Sequence, residues 1–186
     1  MQINYKLVWR LSMWQKGLFQ KKNSEKNILV LGEAGCGKKS FVLYYKDGLD
    51  ITGSASLPEF NKLIYNKKLD RSEERISLVF TLNGASDEMI PSISKSPRFD
   101  LILILIDLSS ETAKADLQFY RKYAKIHFPE VKTLLVGTKQ DKQLEENVFD
   151  KLINSSAKTG KGFDQFEEQL MMGLELNNGD KKGLSI

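Results

Sequence analysis

The chain is poor in the residues that build disulfides and histidine-based sites. Its 186 residues include one cysteine, Cys36, and one histidine, His127. A single cysteine excludes an internal disulfide and fits a reducing compartment, and a lone histidine argues against histidine metal sites and Ser-His-Asp catalysis. We expect Cys36 to be a small filler and His127 to be a solvated residue near a helix end. The apolar run Leu101–Ile106 is far too short to cross a bilayer.

Acidic residues are missing from the first 24 positions, which makes the charge uneven. That segment holds five basic residues, and removing them from the 28 in the chain leaves 23, against 24 acidic ones. The five are Lys6, Arg10, Lys16, Lys21 and Lys22. The rest of the chain is therefore close to neutral, so the sequence predicts no nucleic-acid partner.

Residues 1–25 form a basic amphipathic extension in the sequence. Apolar side chains recur at helical spacing, at Ile3, Leu7, Leu11, Trp14 and Leu18. Three interpretations remain open: a helix in which residues 1–22 lie on a membrane surface, a helix packed on its own domain or on a partner protein, and a targeting presequence. The first predicts a cytoplasmic protein at the periphery of a membrane.

From residue 26 the sequence alternates between strand-like and helix-like segments. We predict one domain over residues 26–176 and a flexible tail over residues 177–186. The predicted strands are 27–31, 59–65, 76–82, 100–106, 132–136 and 152–154, and the predicted helices are 39–46, 110–127 and 163–175. The central apolar run has no polar alternation, as in a strand covered on both faces. This indicates an α/β fold with a mostly parallel, doubly wound sheet of about six strands and helices on both faces.

The segment from Gly32 to Ser40 resembles a phosphate-binding loop with one position changed. Gly32, Gly37 and Lys38 fit the pattern G-x-x-x-x-G-K-S/T, but Lys39 stands where the pattern has Ser or Thr. A strand before the loop and a helix after it are what phosphate binding requires, because loop N–H groups and the helix N-terminus attract anions. The missing hydroxyl would normally ligate Mg²⁺, so the sequence makes Mg²⁺ binding doubtful.

Three further segments lie where strands are predicted to end. The strand at 132–136 is followed, after Gly137, by Thr138-Lys139-Gln140-Asp141. The strand at 152–154 is followed by Ser155-Ser156-Ala157-Lys158, and the strand at 76–82 ends in Thr81-Leu82-Asn83-Gly84. A carboxylate at Asp141 can accept hydrogen bonds from the N1–H and 2-amino groups of guanine, a donor pair that adenine lacks. The sequence therefore favours guanine over adenine, and argues against an adenine-nucleotide enzyme such as a kinase.

Together these segments resemble the Ras superfamily of small GTPases over roughly residues 26–176. The N-terminal extension and the ending Lys-Gln-Asp are most similar to the Arf-like branch, and the opening Thr-Lys-Gln-Asp is similar to the Rho branch. The resemblance implies a phosphate-loop G domain that binds GTP or GDP. The implied nucleotide-binding residues are Gly32, Gly35, Gly37, Lys38, Lys39, Ser40, Gly84, Thr138, Lys139, Asp141, Ser156, Ala157 and Lys158.

The departures from the family cluster around metal and water. Beside Lys39, Thr81 replaces the aspartate expected at the end of its strand, and Ala85 replaces the glutamine that orients the attacking water. We therefore expect weak or no GTP hydrolysis and name no catalytic residue. Two functions remain open: an atypical guanine-nucleotide-binding protein that acts through protein effectors in trafficking or signalling, and a nucleotide-free scaffold subunit of a larger assembly.

Overall fold

A computed structural model of the chain describes residues 24–48, 62–68, 75–83, 98–143 and 152–176. Several predictions fall outside these residues. They concern the N-terminal helix, the C-terminal tail of residues 177–186, and the positions of Gly84 and Ala85. Nothing below concerns their structure.

The described residues form six β-strands and three α-helices. The strands are β1 (Ser24–Leu31), β2 (Lys62–Lys68), β3 (Arg75–Asn83), β4 (Leu101–Asp107), β5 (Thr133–Thr138) and β6 (Ile153–Asn154). The helices are α1 (Lys38–Asp47), α2 (Ala113–His127) and α3 (Phe163–Gly173), and a short 3₁₀-helix covers Gln140–Lys142. Every strand and helix predicted for residues 26–176 is present, with bounds that differ by a few residues.

All six strands belong to one sheet, in the order β2-β3-β1-β4-β5-β6. The edge strand β2 is antiparallel to β3, and all other neighbours are parallel. Parallel neighbours require crossover connections, and these carry the helices. The prediction of a mostly parallel sheet of about six strands is confirmed.

Two apolar clusters cover the two faces of the sheet. On one face, α1 and α3 pack on Ile28 and Val30 of β1 through side chains that include Phe41 and Phe166. On the other face, α2 packs on β1 and β4, and Tyr120 is buried there. Helices on both faces confirm the doubly wound arrangement that the sequence predicts.

Strand β4 explains the uninterrupted apolar run. Leu103 and Leu105 belong to the cluster with α1 and α3, whereas Ile102 and Ile104 belong to the cluster with α2. All four are fully buried. Successive side chains of a strand point to opposite faces, so a strand covered on both faces has no polar position.

Strand β2 extends three residues beyond the predicted span of 59–65, whose first three residues lie outside the described part of the chain. Its side chains alternate between exposed and half-buried, as expected for an edge strand that is solvated on one face. Lys67 pairs with Ile76 of β3 in the sheet, and its ammonium group forms an ion pair with Glu167 of α3. The same carboxylate accepts a hydrogen bond from Tyr45 of α1, and burial, reinforced by that carboxylate, raises the pKa of the Tyr45 hydroxyl.

Strand β1 begins earlier than its predicted span of 27–31. Ser24 pairs with Ile76 of β3, so Ser24 and Glu25, which the sequence assigns to the N-terminal extension, lie in the sheet. The first half of β1 is only partly buried, which is why the apolar pattern starts at Ile28.

The fold brings four segments to one edge of the sheet. Strands β1, β4, β5 and β6 are parallel, so the residues that follow each of them meet at the carboxyl edge.

An aromatic cluster holds α1 against α3 below this edge. Phe41 stacks on Phe163 with ring centroids 4.9 Å apart and meets Phe166 edge-on at 4.8 Å. The helix after β1 is thereby fixed relative to the helix after β6.

Candidate functional site

Residues 32–37, here called the glycine loop, connect β1 to α1. The loop passes close to β4, and a Cβ added at Gly32 would lie 2.5 Å from the Leu105 carbonyl oxygen and 2.7 Å from Cys36 Sγ. Gly32 also has φ of 152°, a conformation that L side chains rarely adopt. Only glycine fits this position, because the loop lies directly against a central strand of the sheet.

Lys38, the first residue of α1, folds back over the glycine loop. Its Nζ donates to the carbonyl oxygens of Gly32 at 2.7 Å and Glu33 at 2.8 Å. The side chain therefore places a positive charge above the loop at the N-terminus of a helix, where the helix dipole also favours anions. This is the position that the sequence predicts for a phosphate-binding lysine.

Cys36 is buried at the base of the glycine loop, with 2% of its surface exposed. Burial raises the pKa of its thiol, and the positive charge of Lys38 only partly opposes that shift. A protonated, buried thiol behaves as a small apolar group. The expectation that Cys36 is a filler is consistent with this environment, and His127 is exposed in the last turn of α2, as predicted.

Thr138, the last residue of β5, joins the glycine loop to the sheet. Its buried hydroxyl lies 2.6 Å from the carbonyl oxygen of Cys36 and 3.1 Å from that of Ile106 in β4. The hydroxyl thus connects the loop, β4 and β5 through one atom. A threonine is suited to this place because it combines a β-branched side chain with a donor.

An ion pair between β4 and β5 lies beside the glycine loop. Lys139 Nζ is 2.6 Å from Asp107 Oδ2, and Lys139 has a left-handed backbone, with φ of 56°. The other oxygen of Asp107 accepts hydrogen bonds from the backbone N–H and the hydroxyl of Ser109, at 2.9 Å and 2.6 Å. Burial alone would raise the pKa of Asp107, but these bonds from Lys139 and Ser109 lower it below its ordinary value.

Asp141 lies across the edge from the glycine loop, in the 3₁₀-helix after β5. Its Oδ1 accepts a hydrogen bond of 2.6 Å from the hydroxyl of Ser156. The backbone N–H groups of Lys158 and Thr159 point at the same hydroxyl, both at 3.3 Å. The buried serine therefore connects the segment after β5 to the segment after β6.

Residues 155–162, here called the β6 loop, are held tightly on the sheet. Ser155 donates to the Gly137 carbonyl through both its backbone N–H, at 2.7 Å, and its hydroxyl, at 2.9 Å. A Cβ at Gly162, which has φ of 83°, would lie 2.1 Å from the Asn154 carbonyl oxygen. These contacts fix Ala157 and Lys158 opposite the glycine loop.

The glycine loop, the segment after β5 and the β6 loop enclose one cleft of about 600 Å³. Its volume is in the range of small-molecule and cofactor sites. It is lined by Gly35, Gly37, Ser40, Phe41, Thr138, Lys139, Asp141, Lys142, Ser155, Ala157 and Lys158. Segments that are more than a hundred residues apart in the chain thus share one concave surface.

Most of the residues predicted for the site lie in this cleft or directly behind its wall. Gly32, Lys38 and Ser156 form the supporting hydrogen bonds described above, and Lys39 is the half-buried second residue of α1. Gly84 lies outside the described residues.

Four residues of the site are not among those predicted from the sequence: Asp107, which holds Lys139, and Phe41, Lys142 and Ser155 in the lining. Asp107 carries a usable signal, because it is the first polar residue after the apolar run of β4. Residues that follow a central parallel strand come to the carboxyl edge of the sheet, where ligands bind.

Within the described part of the chain, no group of three or more histidine, cysteine, aspartate or glutamate side chains is arranged to hold a metal ion. Among the same residues, no helix combines the length and apolar character needed to traverse a bilayer. The sequence matches no protein-family model, and no curated protein is significantly similar to it.

Proposed function

We propose that the chain is an atypical guanine-nucleotide-binding protein of the small-GTPase type, which acts through partner proteins. The observation that carries the proposal is the shared cleft: a glycine loop at the start of a helix faces the Thr138–Asp141 segment and the β6 loop across about 600 Å³. The resemblance of these segments to a phosphate loop and to guanine-reading motifs supports the same function.

The glycine-loop end of the cleft suits phosphate groups. Gly35 and Gly37 line it with backbone, and Lys38 holds an ammonium group over the loop. The N-terminus of α1 adds the positive end of the helix dipole, and its first turn contains no acidic residue. Backbone N–H groups, a lysine and a helix terminus are the usual components of an anion site.

The other end of the cleft suits a guanine base. Asp141 is exposed at its rim, and within the described part of the chain its side chain accepts the bond from Ser156 through Oδ1, with none found to Oδ2. A carboxylate held in this way can accept from the N1–H and 2-amino groups of guanine. The stem of Lys139 and the small side chain of Ala157 line the space where the flat base would lie.

The proposal is tested by calorimetric titration of the full chain with GDP and with ADP. Binding of GDP should be tighter, because adenine presents no donor pair to Asp141. The variant Asp141→Asn should weaken GDP binding by about 2–4 kcal/mol, the cost of an unmade double hydrogen bond to a charged group.

Asp47→Asn is the matched control, since Asp47 is exposed at the opposite end of α1 and should not affect GDP binding. Equal affinities for GDP and ADP would refute guanine recognition. The same preparation supplied with GTP should release phosphate no faster than buffer does, because Lys39 and Thr81 replace metal-binding residues of the family.

We also propose that residues 1–22, which lie outside the described residues, bring the protein to a cytoplasmic membrane surface. Its basis is the apolar stripe beside five basic side chains and no acidic one. Co-sedimentation of the full chain with vesicles of anionic and of neutral lipid tests it. Binding to neither kind of vesicle would favour a protein partner for this segment.

A second candidate is a nucleotide-free scaffold subunit of a multi-subunit complex. It is favoured by the way the site satisfies its own charges: Lys38 donates to carbonyls of its own loop, and Asp141 accepts from Ser156. A cleft whose walls are held by such bonds needs no ligand for its stability. Absence of binding to any guanine nucleotide at millimolar concentration would leave this candidate in place.

A further inference from the structure

Among the described residues, the two positions that hold Mg²⁺ in the family that this chain resembles do not carry that family's ligands for it. Mg²⁺ takes oxygen ligands in octahedral geometry, usually from a carboxylate or hydroxyl together with phosphate oxygens and water. The residue after Lys38 is Lys39, whose ammonium group cannot ligate a cation. Thr81, which stands where the family has an aspartate, provides a neutral side chain in β3.

Each carboxylate of the described cleft segments already accepts at least one hydrogen bond or ion pair. Asp107 is paired with Lys139 and bonded by Ser109. Glu33 accepts from the N–H of Ala34 at 2.9 Å and lies 3.3 Å from the hydroxyl of Tyr120 in α2. The third carboxylate, Asp141, lies at the other end of the cleft, against Ser156.

Two lysines instead begin the helix that follows the glycine loop. Lys38 lies over the loop carbonyls, and Lys39 comes next in a first turn that contains no acid. Both lysines belong to the first turn of the helix, whose N-terminus would receive a phosphate group. The positive charge at this end of the helix is therefore carried by side chains of the protein and not by a bound metal ion.

We infer that the cleft binds the diphosphate of a guanine nucleotide without a divalent cation, and that Lys39 supplies part of the charge that Mg²⁺ supplies elsewhere. This inference rests on the proposed function. GDP should be bound more tightly than GTP, because two lysines and a helix terminus balance a diphosphate better than a triphosphate, whose extra charge has no described counter-ion.

The test is a titration of the unmutated full chain with GDP in millimolar Mg²⁺ and again in EDTA. The two dissociation constants should agree within about threefold, and GTP should bind at least about tenfold more weakly than GDP. Loss of GDP binding in EDTA would overturn the inference while leaving guanine binding intact. If GDP binds in neither buffer, the proposed function itself fails.

The variant Lys39→Ser, which restores the hydroxyl of the family pattern, sharpens the test. It should bind GDP about tenfold more weakly in EDTA, and added Mg²⁺ should recover much of that loss. Lys46→Ser is the matched control, because Lys46 is exposed in the last turn of the same helix. Equal effects of the two substitutions, or no effect of Lys39→Ser in EDTA, would show that Lys39 contributes only general positive charge or none.

Discussion

The two ends of the cleft are built by different means. The glycine-loop end is made of backbone held against β4, where a Cβ at Gly32 would meet the Leu105 carbonyl oxygen at 2.5 Å. The opposite end is made of side chains that are held by other side chains, as Lys139 is by Asp107 and Asp141 is by Ser156. A backbone site tolerates few substitutions but needs few partners, whereas a side-chain site depends on contacts between distant parts of the chain.

The strongest way to break the backbone end is Gly32→Ala. The new methyl group overlaps a backbone carbonyl and the Cys36 sulfur in a strained conformation, so we expect a loss of about 3 kcal/mol in the free energy of unfolding. Gly35→Ala is the control, since Gly35 also has positive φ, 76°, but a Cβ there meets nothing within 4 Å. It should cost only about 1 kcal/mol. Urea denaturation measures both, and equal costs would show that backbone strain alone governs the loop.

The side-chain end is broken by Asp107→Asn, which removes the charge that holds Lys139. We expect a loss of about 2 kcal/mol at neutral pH, because a half-buried lysine loses its ionic partner. Asp47→Asn removes an exposed pair with Lys46, at 3.6 Å, and should cost less than about 0.5 kcal/mol.

The effect of Asp107→Asn on the free energy of unfolding, measured as a function of pH, tests the ion pair between Asp107 and Lys139 a second time. The folded pKa of Asp107 lies below its ordinary value, so the folded protein holds fewer protons than the unfolded chain in that range. The stabilisation is complete above the ordinary carboxyl pKa of about 4 and is lost as the pH falls through the folded pKa. The stability difference between the unmutated chain and the variant should therefore narrow at low pH. A constant difference would place the effect in packing and not in charge.

The smallest expected loss in the free energy of unfolding concerns the hydroxyl of Thr138, which joins the glycine loop to the side-chain end of the cleft. Thr138→Val keeps the shape of the side chain but leaves the Cys36 carbonyl without its donor, at a cost of about 1 kcal/mol. Thr133→Val, at the exposed start of β5, should be neutral. Amide hydrogen exchange in the glycine loop should rise in Thr138→Val alone. Unchanged exchange would show that the loop is held by α1 and β4 without this bond.

The elements of the fold could be predicted because their signals are local. The apolar run of β4 and the spacing of apolar residues in α2 and α3 report burial directly. Strand β2 extends past its predicted end because it is an edge strand. Its last residues, Asn66, Lys67 and Lys68, are polar and carry no apolar signal in the sequence. The start of α2 was placed three residues early, since Ser110 and Thr112 form a hydrogen-bonded turn before Ala113.

The candidate site was predictable only where chain-adjacent residues define it. The glycine loop is a contiguous pattern, so its residues and the flanking strand and helix follow from the sequence. The pairing of Asp107 with Lys139 joins residues thirty-two positions apart, and Ser156 supports Asp141 from fifteen positions away. Such pairings depend on the register of β4, β5 and β6, which the pattern of apolar residues does not determine.

The course of β1 has a mechanical consequence for the cleft. Ser24 begins this strand at one end, and Leu31 ends it seven residues later at the glycine loop, roughly 23 Å away at the usual rise of a strand. β1 is paired with β3 along its whole length and with β4 over its second half. A force applied at Ser24 along the direction of β1 loads these hydrogen bonds in shear. The far end of β1, which carries the glycine loop, is shielded from that pull by every bond in the ladder.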